Sequence, residues 1–307
     1  MVRAERDEAP TVVVVGSLNL DMVIPVPHHP RPGETVLGGD HRSTPGGKGA
    51  NQAVAAARLG RGVAMVGRVG DDDAGRTLRA ALESENVDVA HTRATSDAPS
   101  GIAMISVDGS GENAIVVSPG ANGRLTPADV KAAGDVIERA DIVLCQLEVP
   151  VESVTAAARC ARGTVMLNPA PARPLPADLL ESVDVLVPNR GELAMLTNAS
   201  DPPDRDGVAE LAARIAGPSV VVVTLGADGA LLLEAGSATH VGGPEVAVVD
   251  TTGAGDAFCG ALADAMVRGT SNLEGVRWAV AAGALATTKE GAQPAMPRAA
   301  EVERVLR

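Results

Sequence analysis

The chain has 307 residues, 39 acidic and 26 basic, for a net charge of −13; 45% are apolar, yet Tyr is absent and Phe and Trp occur once each. Its core must therefore be aliphatic, and it offers neither the aromatic platforms that stack single-stranded nucleic acid nor the aromatic cages that hold quaternary ammonium groups. The acidic balance disfavours nucleic acid and anionic membrane as partners, while backbone amides still allow a small anionic ligand.

The opening MVRAERDEAP contains no apolar stretch, so no secretory leader is expected. Thr11–Ser17 (TVVVVGS) reads as a strand buried on both faces, because its apolar residues run without alternation. Ala50–Leu59 reads as a helix stopped by Gly60, Val63–Val69 as a strand and Ala74–Leu82 as a helix. Further strands are expected at Asp141–Cys145, Thr164–Leu167, Val183–Val187 and Val220–Leu225. Pro127–Arg139, Val151–Ala161 and Asp206–Ile215 supply helices between them. This alternation predicts an α/β fold with a doubly wound, mainly parallel sheet flanked by helices.

Two stretches break the rhythm. Asp21–His41 is proline-rich and carries two short extended pieces, and Ile102–Val107 and Ala114–Ser118 flank the turn sequence DGSGEN. Both read as β excursions, either a small sheet acting as a lid or ordinary surface insertions. No apolar run reaches the ~18 residues that a membrane span needs. Cys145, Cys160 and Cys259 share no metal-ligand spacing, so reduced thiols and a cytoplasmic location are expected.

The strongest local signal is Asp250-Thr-Thr-Gly-Ala-Gly-Asp256, running into the Ala-rich stretch Ala257–Val267. Glycines opening a helix let an anion approach its unpaired N–H groups. Asp256 at that point is either a helix cap or a base that takes a proton from an attacking hydroxyl. A second glycine-rich segment, Gly46-Gly-Lys-Gly-Ala-Asn-Gln52, also opens a helix. It is not a Walker A loop, since Arg42 and Gly49 stand where that loop needs Gly and Ser or Thr. Lys48 is one of three lysines against 23 arginines, and it is either a ligand-binding cation or a lysine on a mobile loop. Asn189-Arg-Gly-Glu192 follows a strand. Glu192 there can hold the waters of a magnesium ion or close a capping box. Thr224-Leu-Gly-Ala-Asp-Gly229 ends another strand in a turn that suits a nucleotide. Asn19, Asp21 and Glu148 lie beyond the carboxyl ends of strands, where doubly wound sheets bind ligands, and suit the hydroxyls of a sugar.

Together these segments resemble the ribokinase-like carbohydrate kinases. GSLNLD, PGETV, GGKGANQAVAAARLG, GDD, GENAIVVSPGAN, QLEVP, LNPAPAR, VPNRGE, TLGADG and DTTGAGDAF occur in that family's order, from Val12 to Pro294. The resemblance implies one kinase domain over residues 1–307, with a β lid from about 19–45 and 100–119 that also clasps a homodimer. It implies transfer of the γ-phosphoryl group of ATP to the 5-hydroxyl of D-ribose; the alternative is the same chemistry on 2-deoxyribose, another sugar or a nucleoside. Asp256 would be the general base, with the amides of Gly253, Ala254, Gly255 and Asp256 as the anion hole. Asn19, Asp21, Gly47, Lys48, Asn51, Glu148, Asp250 and Asp256 match sugar-contacting positions. Asn189, Thr224, Leu225, Gly226, Ala227, Asp228, Gly229, Gly255 and Val280 match nucleotide-binding positions. Glu192 matches a magnesium-associated glutamate that acts through water. Asp250, Thr252, Ala286, Lys289, Gly291 and Ala295 match a potassium loop.

Two positions depart from the pattern. Ala295 stands where the family can place a serine hydroxyl on potassium, and Val280 where a histidine can lie against adenine. Phe258 and Trp278 are both expected near the nucleotide end of the site. A catalytically silent sugar-binding protein on the same scaffold would have lost the base or the glycines, and both are intact. A dinucleotide-dependent oxidoreductase is disfavoured because GSLNLD, not GxGxxG, follows the first strand.

Overall fold

The computed structural model describes residues 10–202 and 204–307; residues 1–9, most of the stretch read above for a leader, lie outside the described residues. Among the described residues the strands are β1 (Val12–Val15), β2 (Asn19–Pro25), β3 (Arg42–Gly46), β4 (Val63–Gly70), β5 (Val87–Asp88), β6 (Thr92–Thr95), β7 (Gly101–Val107), β8 (Asn113–Ser118), β9 (Ile142–Cys145), β10 (Thr164–Leu167), β11 (Val185–Leu186), β12 (Val220–Thr224), β13 (Ala230–Glu234) and β14 (Ser237–Val241). The α-helices are α1 (Lys48–Arg58), α2 (Asp73–Ser84), α3 (Pro127–Ala132), α4 (Gly134–Arg139), α5 (Val151–Cys160), α6 (Ala177–Leu180), α7 (Arg190–Leu196), α8 (Arg205–Ala212), α9 (Ala254–Val267), α10 (Asn272–Ala286) and α11 (Ala299–Val305).

The main sheet runs β14-β13-β12-β11-β10-β9-β1-β4-β5, with β6 pairing the far end of β4. From β12 to β5 the pairs are parallel, and β13 and β14 add antiparallel at the other edge. The central strands are rich in Val, Ile and Leu without alternation because both of their faces are covered. Val12 and Val14 face one apolar layer with α1, α2, α9 and α10. Val13 and Val15 face the other, with α3 to α8. The chain leaves β1 toward β4 and later returns to its other side through β9. The order therefore reverses at β1, and a crevice opens at the carboxyl ends of β1 and β9.

The second sheet has the order β3-β2-β7-β8, with β2 and β7 parallel and the outer pairs antiparallel. Of the two extended pieces expected within Asp21–His41, one is the end of β2, up to Pro25, whereas β3 begins at Arg42, just beyond it; Pro27, Pro30 and Pro32 between them have no N–H for a ladder. The hairpin β7–β8 forms as expected, closing from Val107 to Asn113. The helix expected over Pro127–Arg139 is broken at Ala133, before Gly134. The antiparallel edge β13–β14 was not anticipated.

With almost no aromatics, the helices pack backbone to backbone. A Cβ on Gly260 of α9 would stand 2.5 Å from the Ala55 Cβ and 2.9 Å from the Ala56 N of α1. Gly260→Val is therefore expected to destabilise the protein by about 3 kcal/mol, the high end for overpacking, because backbone must move. Chemical denaturation of the two proteins measures the difference.

Candidate active site

The crevice is built on two glycine-dependent approaches. Gly47 sits at φ 88° and caps α1, where a Cβ would meet the Asn19 N at 2.6 Å. A Cβ on Gly49 would lie 2.6 Å from the Ser17 N. The start of α1 thus lies against the segment leaving β1. Glu148, beyond β9, accepts from the Lys48 N–H (3.0 Å) and the Ser17 hydroxyl (2.5 Å) with Oε2. A carboxylate at a helix N-terminus is favoured by the helix dipole. Asn122 holds the same segment from the far side. It bonds the Leu18 N–H and carbonyl and donates to the Asn19 Oδ1 at 2.7 Å. Asp21 packs over Gly46, where a Cβ would lie 2.0 Å from its Oδ2.

Asp256 lies in the first turn of α9, 7% exposed. Asn51 donates to its Oδ2 and Gln52 to its Oδ1, both at 2.9 Å. The Asn51 Oδ1 is buried and has no partner among the described residues. Lys48 is held protonated: burial pulls its pKa down, but the fields of Asp256, Glu148 and Glu192 outweigh it. Among the described residues no carboxylate lies within ion-pair distance of its ammonium. Asp21 titrates at about 7, pushed up by burial first and then by Glu148 and Asp256. Burial also raises the Glu192 carboxyl, partly offset by the Asn189 N–H and Lys48.

Asn189 and Glu192 do form a capping box on α7: the Glu192 N–H donates to the Asn189 Oδ1, and the Asn189 N–H to the Glu192 Oε2, each at 2.8 Å. Both also line a cavity of about 250 Å³ with Lys48, Gly253, Gly255 and Asp256. Gly253 caps α9 in the left-handed region at φ 77°. Among the described residues the N–H groups of Gly253, Gly255 and Asp256 have no acceptor, whereas that of Ala254 turns to the Thr251 carbonyl at 3.2 Å. Cys259 borders this cavity, but burial and then Asp256 and Glu192 hold its thiol well above the usual range. It is no nucleophile in this state.

A second cavity of about 630 Å³ adjoins the first through Thr224, Thr251 and Gly255. It is lined by Gly226, Ala227 and Gly229 of the turn after β12, by the 243–248 loop, and by Phe258 and Val280. Leu225 and Asp228 belong to that turn without lining the cavity. Phe258 borders this cavity, whereas Trp278 does not. Its ring lies 4.2 Å from the Arg268 guanidinium carbon, near the opposite end of α9, because alternate residues of α10 face different directions.

Asp250 spends its carboxylate on the backbone. Oδ1 accepts from the Thr252 N–H and hydroxyl, and Oδ2 from the Gly291 N–H at 2.8 Å. Burial raises its pKa, but these bonds more than offset it. With the Asp250 N–H donating to the Thr287 carbonyl, they join the 250–252 turn to the 287–291 loop. Lys289 pairs instead with Glu301, and the buried Ala286 and Ala295 offer only backbone. Among the described residues no three His, Cys, Asp or Glu side chains cluster as a metal site.

Sequence reasoning passed over Ser17, Gln52, Asn122, Gln146 and Asn168. Each lies inside a quoted segment, yet nothing in a single amide or hydroxyl marks it as facing inward. The 243–248 loop was missed too, since its composition is that of any connection.

Comparison with known proteins agrees with this geometry. Residues 9–299 match the family described as pfkB family carbohydrate kinase. The chain belongs to that family. Within it, the chain is similar to ribokinases: 40% identical over 291 residues to that of Haemophilus influenzae, covering 94% of this chain and 95% of the relative. The Bacillus subtilis ribokinase is 38% identical over 298 residues, covering 96% and 99%. Among solved structures, the Arabidopsis thaliana ribokinase complexed with ribose and ATP superposes with a TM-score of 0.88 at 34% identity, covering 98% and 99%. The Thermotoga maritima ribokinase gives 0.87 at 35%, covering 97% and 99%.

The Asp21 carboxyl has a stability consequence. Its pKa is raised in the folded state, from 3.8 to about 7, so the folded protein binds the extra proton between those values and loses stability as pH rises through them. Asp21→Asn removes this cost. Thermal melts without ligand should find the variant more stable than the parent by a few kcal/mol at pH ~8, the gain vanishing below pH ~4.

Proposed function

We propose that the chain transfers the γ-phosphoryl group of ATP to the 5-hydroxyl of D-ribose, giving D-ribose 5-phosphate and ADP. One observation carries the reading: an amide-clamped carboxylate, together with a lysine that has no ion-pair partner and three N–H groups that have no acceptor among the described residues, borders one small cavity, next to a larger one of nucleotide size. Relatives over nearly the whole chain are ribokinases, and one of the superposed ribokinases is a complex with ribose and ATP.

In this reading the sugar lies against Asn19, Asp21, Gly47, Lys48, Asn51 and Glu148. The orphaned Asn51 Oδ1 accepts from one of its hydroxyls. Asp256 takes the proton of the attacking hydroxyl as the bond to phosphorus forms. The N–H groups of Gly253, Gly255 and Asp256 and the Lys48 ammonium stabilise the charge on the transferring phosphoryl oxygens. Ala254 joins them if its N–H leaves the Thr251 carbonyl. The turn from Thr224 to Gly229, Asn189 and Val280 hold the nucleotide, with aliphatic contact to the base.

Glu192 is the carboxylate through which a water-shelled Mg²⁺ would be held beside the phosphates, where it would neutralise charge. The tied 250–252 and 287–291 segments supply backbone oxygens for K⁺. Ala295 adds no hydroxyl, so K⁺ activation should be weak. Asp250 acts by holding this loop, and its sugar contact is secondary.

The second sheet forms the lid and the homodimer contact. Its outer strand β8 is exposed throughout, including Ile115, Val116 and Val117, and Met104 of β7 beside it is half exposed. Such a patch marks an interaction surface. Among the described residues no helix is long and apolar enough to cross a membrane. The buried free thiols Cys145 and Cys259 suit a reducing, cytoplasmic setting.

ADP release on adding ribose and Mg·ATP tests the function, with 2-deoxyribose, fructose and adenosine in parallel and K⁺ present or absent. Ribose should give the highest kcat/KM; equal or better turnover of deoxyribose would reassign the substrate. Asp256→Asn should lower kcat by ~10² or more while ribose binding, read by calorimetry, persists. Val116→Asp should convert a dimer to monomers in size-exclusion chromatography, and an unchanged elution volume would place the contact elsewhere.

A further inference from the structure

Gln52 and Gln146 are both fully buried, and neither is among the groups that would touch a substrate. The Gln52 Nε2 donates to the Asp256 Oδ1 (2.9 Å) and to the Asn168 Oδ1 (3.2 Å). Its Oε1 accepts from the Gln146 Nε2 at 2.6 Å. Asn168 is itself fixed by donating to the Val187 carbonyl. Gln52 is thus fully engaged on three sides.

The direction of these bonds is dictated from one end. An ionised carboxylate only accepts, so Gln52 must present its NH₂ to Asp256. Its oxygen then faces Gln146, which must present its own NH₂. The Gln146 oxygen is driven against Gly16, where a Cβ would lie 2.1 Å away, and it has no partner among the described residues. A buried, unpartnered amide oxygen costs stability. It is explained here by the charge two residues along the ladder.

We propose that Gln52, oriented by Gln146, is the positioning residue of the Asp256 carboxylate and keeps it aimed at the substrate hydroxyl instead of at Lys48. The inference rests on the reading of Asp256 as the base. A carboxylate turns easily about its last torsion. Asn51 secures only Oδ2, and Asp256 is the strongest charged influence on the buried Lys48 ammonium. Losing the Gln52 donor frees Oδ1 to swing toward that cation. An Asp256–Lys48 pair would occupy the base and the phosphate-binding cation together.

Steady-state kinetics with ribose and Mg·ATP from pH ~5 to 9, on the parent chain, Gln52→Leu and Gln52→Glu, tests this. Absence of ribose phosphorylation by the parent would overturn the functional reading itself, and the positioning role with it. With an active parent, Gln52→Leu should lower kcat ~10- to 100-fold, leave both KM values within ~3-fold, and move the acid limb of kcat down by ~0.5–1 pH unit, because pairing with the Lys48 ammonium favours the ionised carboxylate. Asp21, Glu148, Glu192 and Lys48 are unchanged, so the displaced limb reads on Asp256. Gln52→Glu keeps the side-chain length and the Gln146 contact but sets a second carboxyl against Asp256, and its limb should move up instead, by like-charge repulsion. If Gln52→Leu does not fold, Gln52→Glu decides alone. A folded variant with kcat within ~2-fold of the parent, or with lower kcat on an unmoved limb, overturns the proposal.

Discussion

Like charges govern the site. Asp256, Glu148 and Glu192 act together on the same ammonium in one crevice, and in the proposed reaction a phosphoryl group arrives there as well. Two helix N-termini, of α1 and α9, converge on the crevice, each presenting N–H groups and the positive end of a dipole. Glu148 settles on the first and Asp256 lies in the first turn of the second. Lys48 supplies an ammonium. Asp21, whose carboxylate has no hydrogen bond among the described residues to spread its charge, yields instead by holding its proton to about pH 7.

The sheet reversal at β1 explains how residues from distant segments meet. Ser17 and Asn19 follow β1, Glu148 follows β9, Asn168 follows β10 and Asn189 follows β11. All lie at carboxyl ends of parallel strands, so the fold alone brings them to one rim. Glycines then remove side-chain thickness where the chain is crowded: Gly46 makes room for the Asp21 carboxylate, and Gly47 and Gly49 let backbone meet backbone at the β1 exit.

Much of this was legible in the sequence. The unbroken valine runs marked the central strands, and the glycine-rich segments marked both helix starts at the crevice. The failures have physical causes. β13 (ALLLE) is a short apolar run that periodicity alone does not separate from a helix segment, and β14 (SATHV) is polar and exposed at the sheet edge. Pro127–Arg139 has helical composition throughout, and only the weak break at Gly134 divides it. Trp278 was misplaced because two residues along a helix is more than half a turn, which carries a side chain to another face. Gln52 and Gln146 escaped notice because an amide's role depends on its neighbour's charge, which lies 204 residues away for the Gln52–Asp256 bond.

The contact of α1 with α9 through Ala55, Ala56 and Gly260 has a bearing on how such a protein changes over time. These helices carry Asn51, Gln52 and Asp256, and their separation is set by main chain rather than by the choice of side-chain rotamers. Alanine and glycine also lose almost no side-chain freedom on being buried. Mutational drift at this seam is therefore one-sided. There is almost nothing left to trim, while any added methyl group wedges the helices apart and is felt at Asn51, Gln52 and Asp256. The larger cavity, bordered by a loop and longer aliphatic side chains, has room for variation; the seam behind Asp256 does not.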